Sequence, residues 1–129
     1  MPKRLIAFFV SLSLAWNVVI LFASLTNAQW VLPRVSGGQY TSIPLYIRGL
    51  NLVVALFSLY LIYFVNNLVT SDGTWSQRSA LIARAVTLAF GLSTLVNMIS
   101  RSQLERWNAL PALIIALGIF KLSRSPQKA

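Results

Sequence analysis

The stretch IPLYIRGLNLVVALFSLYLIYF, residues 43–64, is apolar, aromatic or small at nearly every position, and its only charge is Arg48. From Leu45 onward it is long enough to cross a bilayer, since a spanning helix needs about 20 residues. The bilayer core offers no water to free backbone N–H and C=O groups, so only helices and closed barrels cross it. The stretch lacks the alternation of apolar and polar residues that is typical of a barrel strand. We therefore predict a transmembrane helix.

The composition of the whole chain also favours a lipid environment. Of its 129 residues, 57% are hydrophobic and 10% are charged, whereas soluble domains carry about 25% charged residues. Three more apolar segments flank the first one. We predict an all-α, integral membrane four-helix bundle that forms a single transmembrane domain. Its predicted helices cover about residues 5–25, 45–67, 79–100 and 108–122, with a turn at Asp72-Gly73 and a polar tail at 123–129.

Lysine and arginine positions predict the orientation, because short cytoplasmic loops carry an excess of both residues. Seven of the eleven lie near the two termini or around the second loop, and the other four are Arg34, Arg48, Arg101 and Arg106. We therefore predict that both termini are cytoplasmic. The expected location is the cell membrane, as a multi-pass protein of a bacterial inner membrane.

The first segment has a second interpretation. Its basic start, its apolar stretch and the spacing of Thr26 and Ala28 resemble a cleaved signal peptide. The apolar region of a signal usually has about 7–15 residues, whereas residues 5–25 are all apolar or small apart from Asn17 and a few hydroxyl groups. The length favours a retained helix, and cleavage after residue 28 would leave three helices.

Small and polar residues recur at helical spacing on one stripe of each predicted helix. Small residues let membrane helices approach closely, and Ser, Thr and Asn can hydrogen-bond between them. We predict that these stripes are the contact faces of the bundle and that the large apolar residues face lipid. The stripes contain Ser13, Asn17 and Ser24; Arg48, Asn51, Ala55, Ser58, Ile62 and Asn66; Ala80, Ala83, Thr87, Gly91 and Thr94; and Ala109, Ala112 and Ala116.

Four polar residues fall at the predicted outer level of the bundle: Asn17, Arg48, Asn51 and Asn97. In one interpretation Arg48 simply extends its side chain to the outer head groups. In the other, the four residues line a polar pocket that opens outward. A guanidinium in such a pocket would favour a carboxylate, phosphate or quinone oxygen through its paired donors.

Several classes of function lack the residues that they need. The chain has no histidine and no cysteine, and its only acids are Asp72 and Glu105. Proton-coupled transport generally uses ionisable residues inside the membrane that are absent here, and metal sites use His, Cys or clustered carboxylates. We predict no enzyme activity, no metal and no cofactor. Because the basic charge is divided between the two membrane faces, we also predict no nucleic-acid partner.

The segment YIRGLNL, residues 46–52, places Arg48 and Gly49 near the start of the second helix. With four helices and a cytoplasmic N-terminus, this layout resembles the small DoxX-like membrane proteins of bacteria. Members of that family often carry an acid beside the arginine, where this chain has Asn51. The resemblance implies a bundle that is sometimes linked to quinone or redox chemistry.

Two functions remain open from the sequence. The first is a non-enzymatic bundle that binds lipid or a partner membrane protein, including a second copy of the chain. The second is a binder or carrier of a small amphipathic anion or quinone through the outer Arg/Asn cluster. The direction in which Arg48 points should distinguish them.

Overall fold

A computed structural model describes residues 2–35, 38–70 and 76–123, and this part of the chain contains helices and no strand. The four principal helices are α1 (Lys3–Leu25), α2 (Leu45–Thr70), α3 (Gln77–Met98) and α5 (Ala109–Ser123), and a single turn, α4 (Gln103–Arg106), precedes α5. α1, α2 and α3 are long and apolar enough to cross a membrane. The predicted Asp72-Gly73 turn and the tail after Ser123 lie outside the described residues.

α1 and α2 are antiparallel and are joined by three hydrogen bonds between asparagine and serine. Asn66 donates to Ser11, Asn17 donates to Ser58, and Asn51 donates to Ser24, at 2.9, 3.0 and 2.9 Å. We call these contacts the Asn–Ser ladder. Between membrane helices such bonds contribute about 0.6 kcal/mol each, so the ladder is worth about 2 kcal/mol and mainly fixes the register of the pair.

α1 occupies a central position, since it packs against both α2 and α5, and α5 in turn packs against α3. The order across the bundle is therefore α2, α1, α5, α3. One core contains side chains from all four helices, among them Leu14, Leu61, Val86 and Ile115. Most large apolar residues outside this core are exposed, as expected for a bundle whose surface is covered by lipid.

The contact faces agree with the predicted stripes. Ala55 and Ser58 are fully buried, and the buried set also includes Ala83, Thr94 and Ala112. Gly91 is different, because a Cβ atom placed on it would have no neighbour within 4 Å. The tight approach occurs at Gly118, where a Cβ atom would overlap the side chain of Val10. The predicted stripes omitted Gly118, which lies at a close contact between α1 and α5.

The loops at one end of the bundle fold over it, and we call this the cap end. The first loop contains a 3₁₀ turn (Leu32–Arg34), and the Ser102 hydroxyl donates to the carbonyl of Pro33. Gly38 has a φ of 70°, and a Cβ there would lie 3.2 Å from that of Ser102, so both its conformation and its surroundings favour glycine. The Ser102-x-x-Glu105 spacing, typical of a capping box, marks α4.

Two predicted boundaries need adjustment. α2 continues to Thr70, and α3 begins at Gln77, where the Ser76 side chain caps it by accepting from the Ser79 N–H at 3.1 Å. α5 begins at Ala109 with Pro111 in its first turn, as predicted, and has 15 residues. At about 1.5 Å per residue α5 is roughly 22 Å long, which is shorter than the hydrocarbon core of about 30 Å.

Candidate functional site

A cavity of about 200 Å³ lies inside the cap end of the bundle. Its apolar wall includes Leu21 of α1, Phe90 of α3 and Ile115 of α5. The first loop lies over it through Arg34 and Val35. The cavity therefore has both apolar and polar side chains in its lining.

Four asparagines from four different parts of the chain line this cavity: Asn17 of α1, Asn51 of α2, Asn97 of α3 and Asn108 just before α5. Each side-chain amide donates through its nitrogen. Asn97 bonds to the carbonyl of Ser93 at 2.8 Å, and Asn108 bonds to the carbonyl of Arg34 at 3.0 Å. A carbonyl oxygen can only accept, so the orientation of both amides is fixed.

The orientation of the other two amides is fixed by their serine partners. Ser58 already donates its hydroxyl hydrogen to the carbonyl of Val54, and Ser24 donates to the carbonyl of Leu21. Each serine oxygen must therefore accept from its asparagine. As a result, the nitrogens of Asn17 and Asn51 point to the ladder, and their Oδ1 atoms are left for other donors.

The four Oδ1 atoms receive no hydrogen bond from the described residues, and none of them is sealed inside the protein. Polar oxygens within an apolar bundle are costly when no donor reaches them. The cavity lining therefore offers four amide acceptors to whatever occupies it.

One side chain of each charge completes the lining. Arg34 belongs to the 3₁₀ turn of the first loop, and its Nε atom is buried without a hydrogen-bond partner. Glu105 belongs to α4 and accepts a hydrogen bond from the Ser100 hydroxyl at 2.8 Å. The cavity thus has a guanidinium donor and a carboxylate acceptor at its cap end.

Arg48 is placed differently from the sequence prediction. It does not belong to the cavity lining, and its Nη1 atom donates to the carbonyl of Leu25, the last residue of α1, at 3.3 Å. The last carbonyls of a helix lack partners within the helix and form the negative end of its dipole. Arg48 therefore caps the C-terminus of α1 from α2, a role that neither interpretation of the sequence included.

The same helix end is closed by its own backbone. Asn27 has a φ of 52°, its N–H bonds to the carbonyl of Ser24, and the N–H of Ala28 bonds to the carbonyl of Ala23. This is the Schellman pattern. The Asn27 side chain also accepts from the N–H of Ile43 at 2.7 Å, which connects the end of α1 to the approach to α2.

Of the four predicted pocket residues, the structure brings Asn17, Asn51 and Asn97 to one cavity, and it supplies Arg34 in place of Arg48. Ligand binding by any of them stays a prediction. The sequence pattern could not assign Arg34, because it stands in an irregular loop where helical spacing gives no position. Asn108, which stands just before α5, lines the cavity without having been among the four predicted pocket residues.

Comparison of the chain with protein-family models, curated proteins and solved structures finds no match. The resemblance to DoxX-like proteins therefore stays a prediction carried by Arg48 and Gly49. The described residues contain no group of three or more side chains suited to hold a metal ion. The cavity itself is the main basis for inferring a function.

Proposed function

We propose that this chain is a non-enzymatic integral membrane protein whose bundle binds a molecule with a polar head and an apolar body. The cavity carries this proposal, because amide, guanidinium and carboxylate groups line it together with the apolar side chains of Leu21, Phe90 and Ile115. Binding pockets for small molecules usually combine an apolar wall with a few convergent polar groups. A cavity of this kind favours an amphipathic ligand over a purely polar one.

The proposed topology places both termini in the cytoplasm and the cap end on the outer side of a bacterial inner membrane. Three apolar helices of suitable length support insertion, and the uneven distribution of lysine and arginine supports the orientation. α5 is shorter than the bilayer core, and we propose that Trp107 and Lys121 extend its reach by lying at the two interfaces.

Retention of the first segment is also part of the proposal. Ile6, Val10 and Leu14 of α1 belong to the common core, and α1 is the only helix that contacts both α2 and α5 extensively among the described residues. Removal of residues 1–28 would separate α2 from the rest of the bundle. This central position supports α1 as a permanent transmembrane helix.

Retention of phospholipid by purified variants tests the proposal. Arg34→Gln removes the guanidinium without breaking any side-chain hydrogen bond among the described residues, and Asn97→Leu breaks only bonds to Ser93 within α3. After matched detergent washes, we expect both variants to retain less phosphate per protein than wild type. Asn67→Leu, an exposed site on α2 outside the cavity lining, is the control and should retain the wild-type amount.

Equal retention by wild type, Arg34→Gln and Asn97→Leu would contradict the proposal. It would leave the other function predicted from the sequence, in which the apolar exterior of the bundle serves association with a partner membrane protein or a second copy.

A further inference from the structure

The cavity lies between two helices that do not pack against each other. α2 contributes Asn51 and α3 contributes Phe90 and Asn97, yet the described residues of α2 and α3 make no extended contact. Both helices contribute side chains to the common core, among them Val65 of α2 and Val86 of α3. The lack of extended contact between α2 and α3 is the basis for the entry route proposed below.

The hydrogen-bonding groups of the lining define the head group that fits. Four Oδ1 acceptors, fixed in orientation by the partners of their own amide nitrogens, favour a ligand with several N–H or O–H donors. The Nε atom of Arg34 is buried without a hydrogen-bond partner, and a guanidinium favours an anionic acceptor such as a phosphate oxygen. A ligand that presents both an anion and a cluster of donors matches both kinds of group.

The charges of the cavity lining help to decide whether the ligand's donors are N–H groups of an ammonium or O–H groups. Arg34 and Glu105 contribute one charge of each sign to the lining, so the site as a whole favours a zwitterion over a net anion. A primary ammonium has three N–H donors on one atom, and the amide oxygens of the lining can accept from it. A quaternary ammonium has no N–H donor and would leave the same oxygens without partners.

Deepening the proposed function, on which this inference rests, we propose that the cavity binds a zwitterionic phospholipid whose head group carries a phosphate and a primary ammonium, as ethanolamine phospholipids do. The lipid enters sideways from the outer leaflet between α2 and α3. Its phosphate lies at Arg34, its ammonium lies among the asparagine Oδ1 atoms, and its acyl chains remain against the apolar exterior.

The test measures lipid affinity by native mass spectrometry of the full chain in detergent, with lipids that have identical acyl chains. The probes are phosphatidylethanolamine, its mono- and dimethylated forms, phosphatidylcholine and phosphatidylglycerol. Each methyl group removes one N–H donor, so we expect the affinity to fall stepwise along the series. Phosphatidylethanolamine should bind about tenfold or more tightly than phosphatidylcholine, a ratio that corresponds to about 1.4 kcal/mol. Phosphatidylglycerol should also bind more weakly than phosphatidylethanolamine.

Variants connect this preference to the cavity. Asn97→Leu should lower the affinity for phosphatidylethanolamine and reduce its advantage over phosphatidylcholine, while Asn67→Leu should leave both unchanged. Arg34→Gln should weaken all the phospholipids, since each carries the phosphate. If Asn97→Leu is too unstable to purify, the methylation series on the wild-type chain still decides the head group.

Four results would overturn the inference. Equal affinity for phosphatidylethanolamine and phosphatidylcholine would show that the site does not recognise a primary ammonium. Tighter binding of phosphatidylglycerol would show that the site prefers hydroxyl groups as donors. In both cases a loss of binding in Arg34→Gln would leave the proposed function intact, whereas no effect of either cavity variant on any lipid would remove the proposed function as well. If soluble glycerophosphoethanolamine competes at concentrations similar to those of the lipid, the ligand is a free head group and not a lipid.

Discussion

Arg48 shows how a single charge in an apolar helix can serve the structure of a neighbouring helix. No lysine or arginine stands in the last turn of α1, where a cation would stabilise the negative end of the dipole. Arg48 of α2 supplies that cation by donating to the carbonyl of Leu25. A charged residue at membrane depth is a candidate functional residue by default, and here the contacts assign it to the helix end.

A pair of substitutions at Arg48 tests this assignment. We expect Arg48→Ala to lower the free energy of unfolding by about 1 kcal/mol, the typical value of a cation at a helix C-terminus. Arg48→Lys should retain most of it, because an ammonium can also donate to a carbonyl. The measurement is denaturant unfolding in detergent micelles, with Arg84→Ala at an exposed position of α3 as a control that should change stability by less than about 0.5 kcal/mol.

A Lys variant as unstable as the Ala variant would show that the planar guanidinium itself is needed. That result would return Arg48 to the list of candidate ligand groups, as the sequence had suggested.

Asparagine was the most informative residue type in the sequence. Asn17, Asn51 and Asn97 were expected at one level of the bundle from their distances to the helix ends, and all three line the cavity. Counting residues from the helix ends succeeds here because the rise per residue is constant. It cannot place Arg34, whose position depends on how Pro33 and the rest of an irregular loop meet Ser102.

Among the elements, α5 is the one whose packing depends most on a single glycine. A Cβ at Gly118 would overlap Val10 and lie 3.4 Å from Cγ2 of Ile6. Valine is branched at Cβ and has little freedom to move aside. Gly118 therefore sets the distance between α1 and α5, whereas Gly91 faces open space on α3.

Alanine at the two glycines should have opposite effects. We expect Gly118→Ala to lower stability by about 1–3 kcal/mol, as overpacking of a close contact does. Gly91→Ala should be neutral or should raise stability by up to about 1 kcal/mol, because alanine has the higher helix propensity and meets no neighbour. The measurement is the thermal unfolding midpoint of both variants in the same detergent.

Similar midpoints for the two variants would contradict the assigned contact between α1 and α5. The small-residue pattern in the sequence predicted which faces meet, since small side chains mark membrane helix interfaces in general. It could not indicate which glycine is essential, because that depends on the side chain opposite.

At the scale of the whole molecule, the proposed topology makes a direct prediction. Reporter fusions after Ala129 and within residues 70–77 should report the cytoplasm, and a fusion within residues 36–41 should report the outside. Topology follows from the lysine and arginine bias between loops. A cytoplasmic signal from residues 36–41 would reverse the orientation and would move the cavity to the inner leaflet.

The number and approximate bounds of the principal helices followed from the sequence, since long apolar segments interrupted by polar loops leave few alternatives. The sequence did not predict which helices pack against each other. Hydropathy gives no order around a bundle, and the packing of α1 between α2 and α5 rests on matched shapes such as Gly118 against Val10. The lack of extended contact between α2 and α3 could not be predicted from the sequence either.

The central place of α1 also bears on how the protein is made. A ribosome that has synthesised residues 1–70 has already delivered both halves of the Asn–Ser ladder, so α1 and α2 can join as a hairpin while translation continues. The other side of α1, with Ile6 and Val10, stays uncovered until the last helix is complete. The first helix to be translated is thus the docking surface for the last, and a nascent chain that stops before residue 109 presents that uncovered surface to the quality-control proteases of the membrane.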